Sequence, residues 1–151
     1  MIFLTGSTGF VGISCIKYFQ SEVVKFSSRS NETYFEDAKI IVHLAGKAHD
    51  LKKTSNADEY YQVNTELTKI VFDAFLVSDA KVFITLSSVK AVADEVLGEL
   101  NEEHIPNPIT HYGKSKLLAE QYILSKKIPE GKRVYILRPC MIHGPGNKGN
   151  L

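Results

Sequence analysis

Cysteine is scarce. Cys15 and Cys140 are the only two, too few for a disulfide framework and lacking the paired spacing of a zinc ribbon, so a reducing, cytoplasmic setting is the expectation. An excess of one charge is also missing. Eighteen Lys and Arg against seventeen Asp and Glu leave a formal net charge of +1, so no nucleic-acid partner is expected. The apolar runs are a handful of residues each, far short of a membrane span. Met1-Ile2-Phe3-Leu4-Thr5-Gly6 puts no basic leader before its apolar residues, and export is not expected. No G-x-x-x-x-G-K-[ST] occurs, which disfavours a phosphate-loop NTPase. Repeats, low-complexity tracts and Gly/Ser or Pro-rich linkers are absent too. With 151 residues, 44% hydrophobic and 23% charged, the chain reads as one ordinary globular domain.

What is present is an alternation of short apolar runs and helical patterns. Met1-Ile2-Phe3-Leu4 reads as a buried strand, and Phe10, Ile13, Ile16 and Phe19 then recur at a helical interval. Val23 to Phe26 is a second strand. Ile40-Ile41-Val42-His43-Leu44 is a third, apolar enough to be covered on both faces. Residues 57 to 77 predict one long helix with Tyr60, Val63, Leu67, Ile70, Val71 and Ala74 as its apolar stripe. Val82 to Leu86 is the fourth strand. A polar loop with Pro106 and Pro108 leads to a helix from about Thr110 to Lys126, and Val134 to Leu137 is the fifth strand. This order predicts an α/β architecture, a doubly wound parallel sheet with right-handed crossovers. Residues 27 to 39 suffice only for a minimal connection, with Thr33-Tyr34-Phe35 at most a vestigial strand.

Thr5-Gly6-Ser7-Thr8-Gly9-Phe10-Val11-Gly12 follows the first strand and opens the first helix. One glycine allows a sharp turn, one a close backbone approach to a pyrophosphate and one tight helix-strand packing. The helix N-terminus adds free N–H groups and a partial positive charge. Gly6, Thr8, Gly9, Phe10, Val11 and Gly12 are therefore the expected binding residues for a dinucleotide. The second strand runs into Phe26-Ser27-Ser28-Arg29-Ser30 without a carboxylate for an adenosine ribose. Arg29 would suit a 2′-phosphate or be a solvated loop residue, and NAD and NADP both stay open.

Tyr112 and Lys116 are four apart at the start of a helix, so their side chains share a face. A phenol of pKa about 10 is a poor base at neutral pH, and a neighbouring ammonium favours its ionised form. Tyr122 and Lys126 repeat the spacing, but ten residues further along a helix is about 15 Å away, and Tyr122 is better read as core packing. The fourth strand ends in Ser87-Ser88, at the edge where open α/β sheets bind ligands. Ser88 is placed to orient a reacting oxygen toward Tyr112, and Ser87 to meet the cofactor. His43 and His49 have no third ligand at a suitable distance, so no metal is expected and His43 reads as a partly buried structural residue. Cys15 and Cys140 read as buried thiols, with the backbone at Cys140 beside the nicotinamide. Lys52-Lys53 reads as solvated surface.

The G-x-x-G-x-x-G spacing resembles the extended short-chain dehydrogenase/reductase family, specifically its NAD-dependent epimerase/dehydratase group acting on nucleotide sugars. The order of landmarks is similar along the whole chain. By this resemblance His43-Leu44-Ala45-Gly46 passes beside the cofactor, giving Leu44, Ala45 and Gly46 as binding residues, and Asn64 supports the site. Ser88, Tyr112 and Lys116 match the catalytic trio, with Tyr112 and Lys116 also touching the cofactor. Leu137-Arg138-Pro139 and Gly144-Pro145-Gly146 match the segment flanking the nicotinamide.

The resemblance implies a Rossmann fold over residues 1–151, an NAD or NADP cofactor and a nucleotide-sugar substrate, a UDP-sugar foremost. Val89-Lys90 after Ser88 replaces the acidic pair of 4,6-dehydratases, leaving 4-epimerases related to UDP-glucose 4-epimerase and 4-keto-sugar reductases. Ala91-Val92-Ala93 departs from the Tyr-Gly pair common in the epimerases, which keeps reductase open. Members of the family are about twice this length, so the chain is expected to stop before the substrate-binding domain and to be weakly active or inactive alone. Apolar surface left uncovered would favour self-association, into a homodimer for instance. A non-catalytic dinucleotide-binding module is the competing class.

Overall fold

Five short strands, β1 (Ile2–Thr5), β2 (Val23–Phe26), β3 (Ile40–His43), β4 (Val82–Leu86) and β5 (Arg133–Leu137), form one sheet in the order β2-β1-β3-β4-β5, with every neighbouring pair parallel. The structure, a computed structural model, describes residues 1–19, 23–26, 35, 37–48 and 56–146. Helix α1 (Phe10–Phe19) joins β1 to β2, and α4 (His111–Ser125) joins β4 to β5. Between β3 and β4 a continuous helical run comprises α2 (Ala57–Tyr60), a π-helical turn (Tyr61–Glu66) and α3 (Leu67–Val77). The β-branched and apolar runs expected as strands are all strands, and the doubly wound parallel sheet is observed. Among the described residues no helix is long and apolar enough to cross a membrane.

The register puts Phe3 beside Ile41, Ile41 beside Phe83 and Phe83 beside Val134. This face meets Val71, Phe72 and Phe75 of α3 and Ile123 of α4, with Phe35 and Ala38 joining the same core. Phe35 meets Phe3 edge-on, with ring centroids 5.4 Å apart, so the stretch before β3 contributes a core side chain; Thr33 and Tyr34 lie outside the described residues. Lys132 closes the C-terminal end of α3, donating to the carbonyls of Phe75, Ser78 and Ala80 at 2.9, 2.6 and 2.7 Å. Right-handed crossovers place α1 on the opposite face. There Ile40, Val42 and Ile84 are half-buried, and Tyr135 and Leu137 are 45% and 47% exposed. The expected two-sided cover of β3 is therefore incomplete among the described residues.

Two helical stripes depart from expectation. The run over residues 57–77 buries Tyr60, Asn64, Thr65, Thr68, Val71, Phe72 and Phe75, whereas Ile70 is exposed. A π-turn holds more residues per turn than an α-helix and rotates the buried face, and the polar members of that face satisfy one another. On α1, Ile13 and Phe19 are exposed, and Gly12 is the buried residue of the helix.

Candidate active site

The strand order reverses between β1 and β3, and open α/β sheets bind ligands just outside the carboxyl ends of the strands at such a point. The segments leaving β1 and β3 are in contact there. Gly6 has a φ of +70°, and a Cβ on it would lie 2.5 Å from the Ala45 nitrogen; one on Gly12 would lie 2.2 Å from the Gly6 carbonyl oxygen. Gly9 N donates to that same oxygen at 3.0 Å. The turn thus folds tightly under the start of α1, whose first N–H groups have no partner within the helix. Thr8 and Gly9 are exposed, and Phe10 and Val11 half-buried. The backbone at Gly144 returns beside Phe10, where a Cβ would meet the ring at 3.5 Å.

Helix α4 starts from a built cap. Thr110 Oγ1 accepts from Gly113 N at 3.1 Å and donates to Asp94 Oδ1 at 2.7 Å. Asp94 Oδ2 accepts from Ile109 N and Thr110 N at 2.6 and 3.0 Å. Burial works against the Asp94 charge, but the hydrogen bonds from Thr110 and Ile109, with Lys90 nearby, hold its carboxyl below the usual range. Gly113 lies against the 3-10 turn Val89–Ala91, with room for no Cβ: one would fall 2.3 Å from the Lys90 carbonyl oxygen.

This close packing delivers Tyr112 to Ser88. The phenol lies beside the Ser88 side chain, whose hydroxyl favours its ionised form, and Ser88 Oγ accepts from Lys90 N at 3.2 Å. Burial raises the phenol above its ordinary pKa, the Ser88 hydroxyl opposing and Tyr60 adding to the rise. The Tyr60 ring meets that of Tyr112 edge-on, with centroids 6.1 Å apart. One turn along α4, Lys116 Nζ donates to the Leu86 carbonyl at 2.9 Å. Burial brings the Lys116 ammonium down to about 8, with Glu120 opposing.

Beneath these groups runs a polar network. Asn64 Nδ2 donates to Ser115 Oγ at 3.0 Å and to the Lys47 carbonyl at 3.1 Å, while its Oδ1 accepts from Lys47 N at 2.8 Å. Ser115 Oγ donates to the Tyr112 carbonyl, and Thr65 Oγ1 to the Ser115 carbonyl, both at 2.8 Å. His43 lies between Thr5 Oγ1 at 2.7 Å from Nδ1 and Thr68 Oγ1 at 3.0 Å from Nε2. Thr68 Oγ1 donates to the Asn64 carbonyl, and Thr5 Oγ1 accepts from Ala45 N. One neutral tautomer satisfies every member: Thr5 donates to Nδ1, and Nε2–H donates to Thr68. Burial and then the Lys116 charge lower His43 to about 3. His43 is thus fully buried, more deeply than expected from the sequence.

The sequence-derived residues therefore fall into groups. Ser88, Tyr112, Lys116, Ser87 and Asn64 converge at the ends of β4 and α4, and Gly6, Gly12, Leu44, Ala45 and Gly46 meet at the adjoining crevice. Pro139 O accepts from Val89 N at 3.3 Å, placing Cys140 near the same edge. Cys140 is exposed and Cys15 half-buried, so the expected burial of both thiols does not hold. Cys140 follows β5 at the sheet edge, where little packs over it. Arg29, His49, Lys52 and Lys53 lie outside the described residues. Tyr122 packs against the core and donates its hydroxyl to Asp73. Thr65, Thr68, Asp94 and Ser115 were not anticipated, and Tyr60 was expected only as part of an apolar stripe. The spacing of Tyr60, Asn64 and Thr68, one helical turn each, was the available signal for three of the buried positions.

Two features fit a nicotinamide dinucleotide. The Ser87 hydroxyl is buried with no hydrogen-bond partner among the described residues. At Gly46 a Cβ would come within 3.2 Å of both Asn64 Oδ1 and Lys116 Nζ, so its absence keeps the backbone open where those two groups converge.

The chain is 30% identical to UDP-glucose 4-epimerase of Vibrio cholerae, across 99% of its own length and 54% of that protein's. It is 27% identical to GDP-6-deoxy-D-mannose reductase of Pseudomonas aeruginosa, covering 99% and 55%. It thus spans about half the length of the curated relatives it matches. Among solved structures, MoeE5 in complex with UDP-glucuronic acid and NAD superimposes with a TM-score of 0.82 at 21% identity, over 99% of this chain and 57% of that one. RMD from Pseudomonas aeruginosa complexed with NADPH does so with 0.79 at 27% identity, over 97% and 55%. The family model described as NAD dependent epimerase/dehydratase matches residues 2–151, and the chain belongs to that family.

Proposed function

We propose that residues 1–151 are the cofactor-binding part of an NAD(P)-dependent nucleotide-sugar epimerase of the 4-epimerase type, with the sugar-binding part outside these residues. The observation that carries this reading is the placement of Tyr112 beside Ser88 with Lys116 one turn along α4, next to the reversal of the sheet. A nicotinamide, when bound, supplies reversible hydride transfer at a sugar carbon. Tyr112 takes the proton of the hydroxyl on that carbon and returns it. Ser88 donates a hydrogen bond to the same oxygen, and the Lys116 charge favours the phenolate. The glycine turn and the N-terminus of α1 hold the pyrophosphate. Leu44, Ala45, Gly46 and Ser87 flank the remainder of the cofactor, and Asn64 fixes the backbone around it. The similarity to UDP-glucose 4-epimerase supports a UDP-sugar as substrate.

The second reading is a 4-keto-sugar reductase, favoured by Ala91-Val92-Ala93 beyond Ser88 and by the similarity to GDP-6-deoxy-D-mannose reductase. An epimerase regenerates its cofactor in each turnover, whereas a reductase consumes NADH or NADPH in proportion to product.

Titrating the chain with NADH and NADPH, read by nicotinamide fluorescence, is expected to give saturable binding of at least one. Binding of neither overturns the proposal. In a longer version carrying a sugar-binding part, Tyr112→Phe is expected to lower kcat by about 10²–10⁴ with cofactor affinity largely kept. Unchanged turnover would remove Tyr112 as the base, and cofactor binding without any turnover would favour the non-catalytic module.

A further inference from the structure

Glu120 is a buried carboxylate that the proposed mechanism does not use. It is 2% exposed, and burying a carboxylate is costly unless it is paired and hydrogen-bonded. Its partner is Arg138, whose Nε donates to Oε1 at 3.0 Å and to Oε2 at 3.2 Å and whose Nη2 donates to Oε2 at 2.5 Å. Two features of its position go beyond an ion pair. Glu120 lies four residues after Lys116 on α4, the spacing at which helical side chains are neighbours. The residues flanking Arg138 hold those flanking Ser88: Leu137 O accepts from Ser87 N at 2.7 Å, and Pro139 O from Val89 N at 3.3 Å.

We propose that Glu120 is a positioning residue, whose charge one turn along α4 favours the Lys116 ammonium held at the Leu86 carbonyl and which, through Arg138, fixes the strand end that supports Ser88. The inference rests on the reading of Ser88, Tyr112 and Lys116 as the reacting constellation. The charged or titratable groups that bear on Lys116 are Glu120, one turn along its own helix, and His43 from β3; Tyr112 lies one turn back. His43 is neutral, so Glu120 is the negative charge that favours the ammonium against the burial that lowers it.

The test separates charge from structure. Glu120→Gln and Arg138→Met break the same ion pair, so a purely structural role predicts similar losses of melting temperature and the same effect on Lys116. The Lys116 titration midpoint is read from its 13Cε resonance in 13C-lysine-labelled full chain, assigned by Lys116→Met. From about 8 in the unmodified chain, the midpoint is expected to fall by about one unit in Glu120→Gln and to stay level or rise in Arg138→Met. Movement in the same direction in both, or in neither, overturns the proposal. Should either single variant fail to fold, the E120Q/R138M double, which strands neither charge, decides: a midpoint below that of the unmodified chain supports the proposal and an unchanged one overturns it. The midpoint is read without cofactor, so failure to bind NADH or NADPH would end the functional reading by a separate measurement.

Discussion

The two faces of the sheet are built differently. Toward α3 and α4, Ile41, Phe83, Phe72 and Phe75 are fully buried, and His43, Asn64 and Thr68 among them are paired residue by residue. On the opposite face Tyr135 and Leu137 of β5 are nearly half exposed, as are Ile13 and Phe19 of α1. Ser88, Tyr112, Lys116 and Asn64 all belong to the closed side, and the glycine turn lies at the seam. Proton transfer tolerates little displacement, so the groups proposed to carry it sit where side chains are locked by packing and second hydrogen bonds. At the seam, where the ligand is proposed to bind, the backbone of Gly6 lies directly against that of Leu44 and Ala45.

The largest effect expected from this contrast is at His43. Replacing it by Leu removes the partner of the Thr5 and Thr68 hydroxyls in a dry interior, and about 2–4 kcal/mol should be lost in urea denaturation. The unmodified chain should also lose stability in acid. The folded imidazole binds a proton only near pH 3, the unfolded one near 6.5. Between those values the unfolded state holds more protons, so stability falls as pH falls, by up to about 1.4 kcal/mol per pH unit. Asp94 is depressed as well and adds its loss only as pH drops through and below the ordinary carboxylate range. His43→Leu should lack the component between pH 6.5 and 3. A stability profile equally steep in both proteins would mean that the closed face does not depend on this neutral ring.

The closed face was only half legible in the sequence. Ile40 to His43 and Val82 to Leu86 announce strands through β-branched and apolar runs, and Thr110 marks the start of α4 by the capping chemistry of its hydroxyl. Tyr112, Lys116 and Ser88 could be named because a helical interval and a strand end dictate where such side chains go. The π-turn could not be read, since nothing in Tyr61 to Glu66 distinguishes its local preferences from those of an α-helix. Its consequence, the burial of Asn64, Thr65 and Thr68 in place of Val63 and Ile70, runs against hydrophobic patterning. Those polar residues are tolerated because Ser115, Lys47 and His43 satisfy them, and such pairing exists only once the distant segments have met. Glu120 was invisible for the same reason: its partner is eighteen residues away, beyond β5.

At the seam the expected effect is intermediate and of a different kind. Gly46→Ala introduces a methyl 3.2 Å from Asn64 Oδ1 and from Lys116 Nζ. Both neighbours must give by a few tenths of an ångström, and both are tied elsewhere, to Lys47 and Leu86. Stability should drop by about 1 kcal/mol or less, while the dissociation constant for NADH or NADPH rises by about tenfold because the methyl occupies the open approach. Equal affinity in the two proteins would place the ligand away from Gly46 and break the assignment of the seam.

The smallest effect belongs to the open face. Ile13 is an apolar residue at a helical interval on α1, so patterning alone ranks it with Val71 as core. Its side chain is nevertheless 45% exposed, whereas Val71 is fully buried. Truncation at a buried apolar position costs about 2–5 kcal/mol, and polar substitution at the surface usually less than about 0.5. Ile13→Ser should therefore leave the urea midpoint and cofactor affinity nearly unchanged in residues 1–151. A loss above about 1 kcal/mol would show that α1 is packed as tightly as α3, and the contrast between the faces would fail. The same substitution in a longer version carrying a sugar-binding part separates two causes of the exposure. An equally small effect there means that α1 faces solvent in both, and a larger one means that further chain covers Ile13.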